Sequence, residues 1–191
     1  MKIILASKSP RRVEILKNIG ADFEIIPANA DESVEEGINP CDAVMEISKR
    51  KALCILEKHN DAFIISADTV VTIDGDIIGK PRDDDHASSI LKRLSGRSHE
   101  VLTGFTLCTK DKMYCGYVST EVKFRELADE EIYRYIKSGE PGDKAGAYGI
   151  QEKGSVFVTG IKGDYFNVMG LPVCEINKVA IEEFGISLTN F

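Results

Sequence analysis

The alternation of short apolar runs with helix signals in the first part of the chain constrains the fold most strongly. An apolar run with no alternating pattern is typical of a strand buried on both faces, and Pro10 stands where a helix would begin. The predicted elements are strand 2–6, helix 10–20, strand 23–27, helix 39–59 and strand 62–71. Strands that alternate with helices in this way favour an α/β fold that contains parallel strands.

The rest of the chain adds antiparallel strands to this pattern. Asp74 and Gly75 form a hairpin turn signal after residues 62–71, and residues 99–109 and 113–124 are predicted to form a long antiparallel pair. Further helices are predicted at 83–96, 129–137 and 172–184, and a short strand near 155–159. The sequence therefore predicts an α/β domain with a mixed sheet flanked by helices.

Composition excludes several classes of protein. The 191 residues carry a net charge of −7, which argues against a general nucleic-acid binder, because such proteins hold phosphates on broad basic surfaces. No apolar run approaches the roughly 18 residues of a membrane span. The five cysteines are odd in number and lack a Cys-x-x-Cys spacing, so reduced thiols and a cytoplasmic location are expected.

Arg11 and Arg12 are unusual in the first turn of a predicted helix. A helix N-terminus carries partial positive charge and favours acidic residues, so two arginines are unfavourable there unless an anion binds. With Ser7 beside them, a polyphosphate is the natural ligand. The alternative is that both arginines point to solvent or pair with acidic neighbours.

Asp68 is the second anomaly, since it interrupts the apolar strand 62–71, where a charge needs a partner. We expect it at the carboxyl end of a buried strand, where α/β sheets place their sites. Lys51 shares the apolar stripe of the helix 39–59, and Lys80 stands between Gly and Pro. The alternative for Asp68 is an acid that is satisfied by backbone N–H groups. The alternative for Lys80 is an exposed lysine in a turn.

Glu32 lies in a polar loop and supplies a second carboxylate. Together with Asp68 it could hold Mg²⁺ or Mn²⁺, because these cations take oxygen ligands and bridge one or two carboxylates to substrate phosphates. The three histidines have no ligand spacing. The aspartates at 83–85 are better explained as the start of a helix.

Residues 139–170 contain eight of the sixteen glycines, which indicates a functional loop. Within it, Gln151 is a candidate for base recognition, because its amide can pair with a planar donor and acceptor edge. The alternative is a flexible surface loop.

The order of these motifs along the chain closely resembles the Maf family of nucleoside triphosphate pyrophosphatases, also called septum formation inhibitor proteins. The resemblance covers essentially the whole chain, so one Maf-like domain over residues 1–191 is expected. The motifs that carry it are SKSPRR at 7–12, DE at 31–32, SADTVV at 66–71, GKP at 79–81, DKAGAYGIQ at 143–151 and NVMGLP at 167–172.

The resemblance implies an elongated fold related to the inosine triphosphate pyrophosphatases, with a cleft between two lobes, and often a homodimer. It implies hydrolysis of a nucleoside triphosphate to the monophosphate and pyrophosphate with a divalent cation. By position, Glu32 and Asp68 would hold the metal, and Asp68 would accept the proton of the attacking water. The phosphates would be bound by Ser7, Arg11, Arg12, Lys51 and Lys80.

Specificity is also implied by position. Arg12, Thr69 and Gln151 match the subfamily that acts on dTTP and UTP, whereas relatives that act on 7-methyl-GTP differ there. Met169 is a mild departure from the family pattern. Two other functions remain open at this point, namely a non-catalytic nucleotide sensor that restrains cell division and a pyrophosphatase for 7-methyl-GTP or other non-canonical nucleotides.

Overall fold

A computed structural model describes residues 1–35 and 37–189 of the chain. Its strands are β1 Ile3–Leu5, β2 Glu24–Ile25, β3 Phe63–Ile73, β4 Asp76–Ile78, β5 Ser98–Cys108, β6 Met113–Phe124 and β7 Val158–Lys162. Its α-helices are α1 Pro10–Asn18, α2 Pro40–Leu56, α3 Asp84–Leu94, α4 Asp129–Lys137, α5 Tyr165–Met169 and α6 Val173–Phe184. Short 3₁₀ segments occupy Glu140–Asp143, Ala145–Ala147 and Lys153–Phe157.

The strands form one seven-stranded sheet in the order β2-β1-β3-β5-β6-β7, with β4 paired to β3. Strand β1 runs parallel to both β2 and β3, whereas the β3–β4 and β6–β7 pairs are antiparallel. The predicted mixed α/β sheet is therefore confirmed. No helix of the described residues is long and apolar enough to cross a membrane.

The chain divides into two compact units. The first comprises Met1–Asp68, Thr103–Val118 and Gly170–Phe191, and the second comprises Thr69–Leu102 and Ser119–Met169. One functional domain over residues 1–191 stays a prediction.

In the first unit, α2 packs against one face of β3. Ile64 belongs to an apolar cluster with Ala52 and Ile55 of α2, and the Ser66 hydroxyl donates to the Ser48 carbonyl of α2 at 2.6 Å. On the opposite face of β3, Phe63 contacts the Phe184 ring of α6 edge-on. Successive side chains of β3 thus lie on opposite faces of the sheet, and the face that carries Ser66 points toward α2.

Gly104 of β5 allows α2 to approach the sheet closely. A Cβ atom at this position would lie 2.3 Å from the Val44 carbonyl carbon and 2.6 Å from the Met45 nitrogen. Both are backbone atoms that cannot rotate away, so any side chain here would displace the helix.

The second unit has its own core between α3, α4 and the outer strands. His99 lies in this core with 3% of its surface exposed, edge-on to the rings of Phe124 and Tyr148. Its Nε2 is 2.9 Å from the Tyr148 hydroxyl, while its Nδ1 has no hydrogen-bond partner among the described residues. Burial lowers the pKa of His99 to about 4.

Several predicted boundaries were wrong. Strand β3 continues to Ile73, so Asp68 lies inside the strand and not at its end. The cause is a change of partner, since β1 pairs with β3 only up to Ile65 and β4 pairs with it from Val71. Asp68 therefore follows the parallel part of the sheet.

The helix starts and the last strand also differ in detail. Helices α2 and α3 begin at Pro40 and Asp84, one residue later than predicted, because Asn39 and Asp83 are their N-caps. The predicted strand near 155–159 begins only at Val158, because the preceding residues form a 3₁₀ turn. Asp83 does cap α3 by accepting from the His86 N–H at 2.7 Å, as predicted for the aspartate run.

His99 predicts a pH dependence of stability. Its pKa is about 4 in the folded protein and near the ordinary 6.5 when unfolded. Between these pH values only the unfolded state gains the proton, so the free energy of unfolding should fall by at most about 3 kcal/mol as pH drops from 7 to 4. Urea unfolding of wild type, His99→Gln and the half-buried control His59→Gln measures this. A pH dependence in His99→Gln equal to that of wild type would contradict the prediction.

Candidate active site

Arg12 is held in place by neutral oxygen atoms from separate parts of the first unit. Its Nε donates to the Gly170 carbonyl at 2.7 Å, and its Nη1 donates to the Ala67 carbonyl at 2.8 Å and to the Ser7 hydroxyl at 3.4 Å. Ala67 immediately precedes Asp68 in β3. Helix α1 thus places a fixed positive charge beside that carboxylate.

The electrostatic environment of Arg12 reflects both its burial and its neighbours. Burial lowers the pKa of the guanidinium from its ordinary value, and the positive charge of Arg11 acts in the same direction. The negative charges of Asp68 and Glu32 oppose this effect. Arg12 therefore interacts electrostatically with both predicted metal ligands, Asp68 and Glu32.

Lys51 extends from α2 and lies between the two predicted metal ligands. Its Nζ is 2.7 Å from Asp68 Oδ1 and 2.8 Å from Glu32 Oε1. The Lys51 and Asp68 side chains are only 11% and 15% exposed, whereas that of Glu32 is 59% exposed. The ammonium group therefore forms a largely buried ion pair with Asp68 and a second one that opens to solvent at Glu32.

The loop that carries Glu32 is attached to α2 by Arg50. The Arg50 Nη1 donates to the Ser33 carbonyl at 2.6 Å and to the Asp31 carbonyl at 3.4 Å, and its Nε pairs with Glu46. Asp31 closes the turn by accepting from the Ser33 N–H and hydroxyl. Arg50 thereby holds the backbone on both sides of Glu32 next to Lys51.

This arrangement suits a hard divalent cation. The Glu32 and Asp68 carboxylates both contact the Lys51 ammonium, so they converge on one point that a positive charge already occupies. Both offer oxygen ligands of the kind that Mg²⁺ or Mn²⁺ prefers. No cluster of three His, Cys, Asp or Glu side chains suited to a metal is found within residues 1–35 and 37–189. Two carboxylates fit a cation that completes its coordination with water and substrate phosphates.

Three predicted residues belong to the second unit. Lys80 is exposed after β4, Gln151 is exposed in the glycine-rich segment, and Thr69 is half-buried directly after Asp68 in β3. The Gly79 carbonyl, next to Lys80, accepts from the Gly146 N–H at 3.2 Å. The roles of these residues with a substrate stay predictions, as do those of Ser7, Arg11, Arg12 and Lys51.

The residues that set the position of α2 were not predicted from the sequence. Ser48, Ser66 and Thr106 form a buried polar cluster, in which the Ser48 and Thr106 hydroxyls are 2.9 Å apart. Two serines within apolar patterns were the available signal, because Ser48 lies one turn before Lys51 and Ser66 lies two residues before Asp68. Arg50 gave no comparable signal, since it lies on a solvated side of the helix.

Comparison with known proteins shows the family of the chain. The model of the Maf-like protein family matches residues 2–183. The chain belongs to the Maf-like proteins. A relative from Clostridioides difficile (strain 630), named dTTP/UTP pyrophosphatase, is 46% identical over 98% of this chain and 98% of its own length. A Bacillus cereus protein of the same name is also 46% identical, over 99% of this chain and 98% of its own length.

One solved structure is similar at a lower level. The Staphylococcus aureus Ham1 protein matches 64% of this Maf-like chain and 72% of its own, with 17% sequence identity and a TM-score of 0.45.

The anchoring of Arg12 predicts that Arg12→Lys destabilises the protein. An ammonium group cannot reproduce the planar fork that reaches the Ala67 and Gly170 carbonyls together. The free energy of unfolding should fall by about 1–3 kcal/mol, measured by urea unfolding. Arg134→Lys, at an exposed ion pair on α4, is the control and should change it by less than about 0.5 kcal/mol. Equal stability of Arg12→Lys and wild type would show that these contacts contribute nothing.

Proposed function

We propose that this Maf-like protein is a nucleoside triphosphate pyrophosphatase that hydrolyses dTTP and UTP to the monophosphate and pyrophosphate. Nearly full-length relatives with 46% identity bear the name dTTP/UTP pyrophosphatase. The observation that carries the proposal is the convergence of Asp68 and Glu32 on one cation position beside Arg12. Metal-assisted phosphoryl chemistry needs this combination of oxygen ligands and fixed positive charge.

Asp68 is the proposed proton acceptor for the water that attacks the α-phosphorus. Its carboxylate is largely buried, and the Lys51 ammonium and the Arg12 guanidinium both lie close to it. Glu32 and Asp68 are the residues that would hold Mg²⁺ or Mn²⁺. When bound, such a cation neutralises phosphate charge and acidifies water in its coordination shell.

The cationic residues are proposed to bind the triphosphate and to stabilise negative charge on the leaving pyrophosphate. Arg12 has its orientation fixed by carbonyl contacts, so little freedom is lost when an anion binds. Ser7, Arg11, Lys51 and Lys80 complete the proposed set. In this structure Lys51 pairs with both carboxylates. When substrate binds, it would replace part of these contacts with contacts to the phosphates.

Base selection is assigned in this proposal to Arg12, Thr69 and Gln151. The Gln151 amide offers one donor and one acceptor, which match the edge of a pyrimidine that carries both kinds of group. A single functional domain over 1–191, a cytoplasmic location and a homodimer belong to the same proposal. The single domain and the homodimer rest on the sequence resemblance, whereas the location rests on the composition and the cysteine pattern.

Asp68→Asn should abolish hydrolysis and preserve the fold. The amide keeps the shape of the side chain but cannot accept the proton, so the pyrophosphate released from dTTP with Mg²⁺ should fall by about 10²–10⁴-fold. Asp61→Asn, an exposed position before β3, is the control and should retain activity. Wild-type turnover in Asp68→Asn would remove Asp68 from this role. A wild-type protein that binds dTTP without releasing pyrophosphate would instead favour the nucleotide sensor.

Gln151→Ala should loosen base preference more than it slows the best substrate. Loss of one paired amide should lower the ratio of kcat/KM for dTTP to that for GTP by about tenfold, because the phosphate contacts are common to both nucleotides. A panel of dTTP, UTP, CTP, GTP and 7-methyl-GTP with Mg²⁺ and with Mn²⁺ measures it. An unchanged ratio of dTTP to GTP would count against Gln151 as a specificity residue.

A further inference from the structure

The loop of residues 149–154, which carries Gln151 near its centre, is closed at its base. A Cβ atom on Gly154 would lie 2.9 Å from the Gly149 carbonyl oxygen and 3.0 Å from the Gly149 nitrogen. The same Cβ would lie 2.8 Å from the Tyr135 hydroxyl. The two ends of the loop therefore meet, and they do so against a side chain of α4.

Two buried side chains hold these ends. The Glu140 carboxylate accepts from the backbone N–H groups of Lys153 and Gly154, each at 3.0 Å. It also accepts from the Tyr135 hydroxyl at 2.8 Å, and that hydroxyl accepts from the Gly149 N–H at 3.2 Å. Tyr135 and Glu140 thus connect the first residue of the loop to its last two.

The residues on either side of Gln151 are held as well. Ile150 packs against the apolar core of the second unit. On the other side, the Glu152 carboxylate is 3.4 Å from the Nζ of Lys144, a buried lysine that also donates to the Glu140 carbonyl at 2.9 Å. Gln151 itself is exposed. The loop therefore presents one exposed amide on a fixed backbone.

We propose that Tyr135 and Glu140 are positioning residues for base selection, which act by fixing the backbone that carries Gln151. The inference rests on the proposed function, in which Gln151 contacts the base. Discrimination by an amide depends on where its oxygen and nitrogen lie relative to the base, and a fixed backbone limits the positions that they can reach. Loosening the loop should therefore reduce discrimination between nucleotides more than it reduces the contacts shared by every triphosphate.

The test compares Tyr135→Phe with Tyr133→Phe. Both tyrosines lie on α4, but Tyr133 is 61% exposed and does not belong to the Glu140 cluster. Phenylalanine keeps the ring that packs edge-on against Phe157 and removes only the hydroxyl. Steady-state kinetics with dTTP and GTP gives the ratio of the two kcat/KM values, and hydrogen–deuterium exchange of the peptide that contains residues 149–154 reports the loop.

We expect Tyr135→Phe to lower the dTTP-to-GTP ratio by about fivefold and to speed exchange in the loop, because it loses two hydrogen bonds. Tyr133→Phe should leave both unchanged. Glu140→Gln should act in the same direction as Tyr135→Phe. Glu152→Gln alters only a half-exposed carboxylate, so it tests the fixing of the loop if the buried variants do not fold. It should also lower the dTTP-to-GTP ratio.

The outcomes separate this inference from the proposed function. If the variants lose thermal stability or total activity while the ratio stays at the wild-type value, the cluster is only structural and the inference is overturned. If wild type releases no pyrophosphate from any nucleotide, the proposed function fails and the inference fails with it. If wild type prefers dTTP to GTP and Tyr135→Phe shows a weaker preference, both the proposed function and the inference are supported.

Discussion

The ion pair between Lys51 and Asp68 is the interaction on which the candidate site depends. A carboxylate inside a strand that is otherwise apolar is unfavourable without a nearby cation, and the Lys51 ammonium 2.7 Å away provides that charge. The pair forms only because α2 lies very close to the sheet. Gly104 permits that approach, and the Ser66 hydrogen bond to the Ser48 carbonyl sets the position of the helix. A packing feature thereby fixes the electrostatics of the site.

Arg12 shows how a charge at a helix N-terminus is used in this protein. The unfavourable position of the arginines in α1 suggested an anion site at the helix end. In the structure the Arg12 guanidinium also reaches the Ala67 and Gly170 carbonyls, so it connects α1 to β3 and to the segment before α6. The Arg12 guanidinium is thus held by tertiary contacts, close to the Asp68 carboxylate. Helix polarity alone does not explain its placement.

The glycine-rich segment of the second unit is more ordered than its composition suggests. Its glycines allow close approach, as at Gly154 against Gly149, and two of its charged residues, Glu140 and Lys144, are buried. Glu140 receives three hydrogen bonds, so the cost of burying its charge is offset within the second unit. A segment that resembles a flexible loop in sequence is thus built as a set of short turns around a carboxylate.

The sequence by itself determined the α/β class and the unusual residues Arg12, Lys51 and Asp68. These follow from the spacing of apolar residues and from charged residues at unusual positions, both of which are local properties of the chain. Only the tertiary structure decided that Lys51 lies between Glu32 and Asp68, that β3 continues past Asp68, and that Arg50 and Glu140 hold two loops in place. Such contacts join residues far apart in the chain. Their distances depend on how closely helices and strands pack, and no local pattern encodes that.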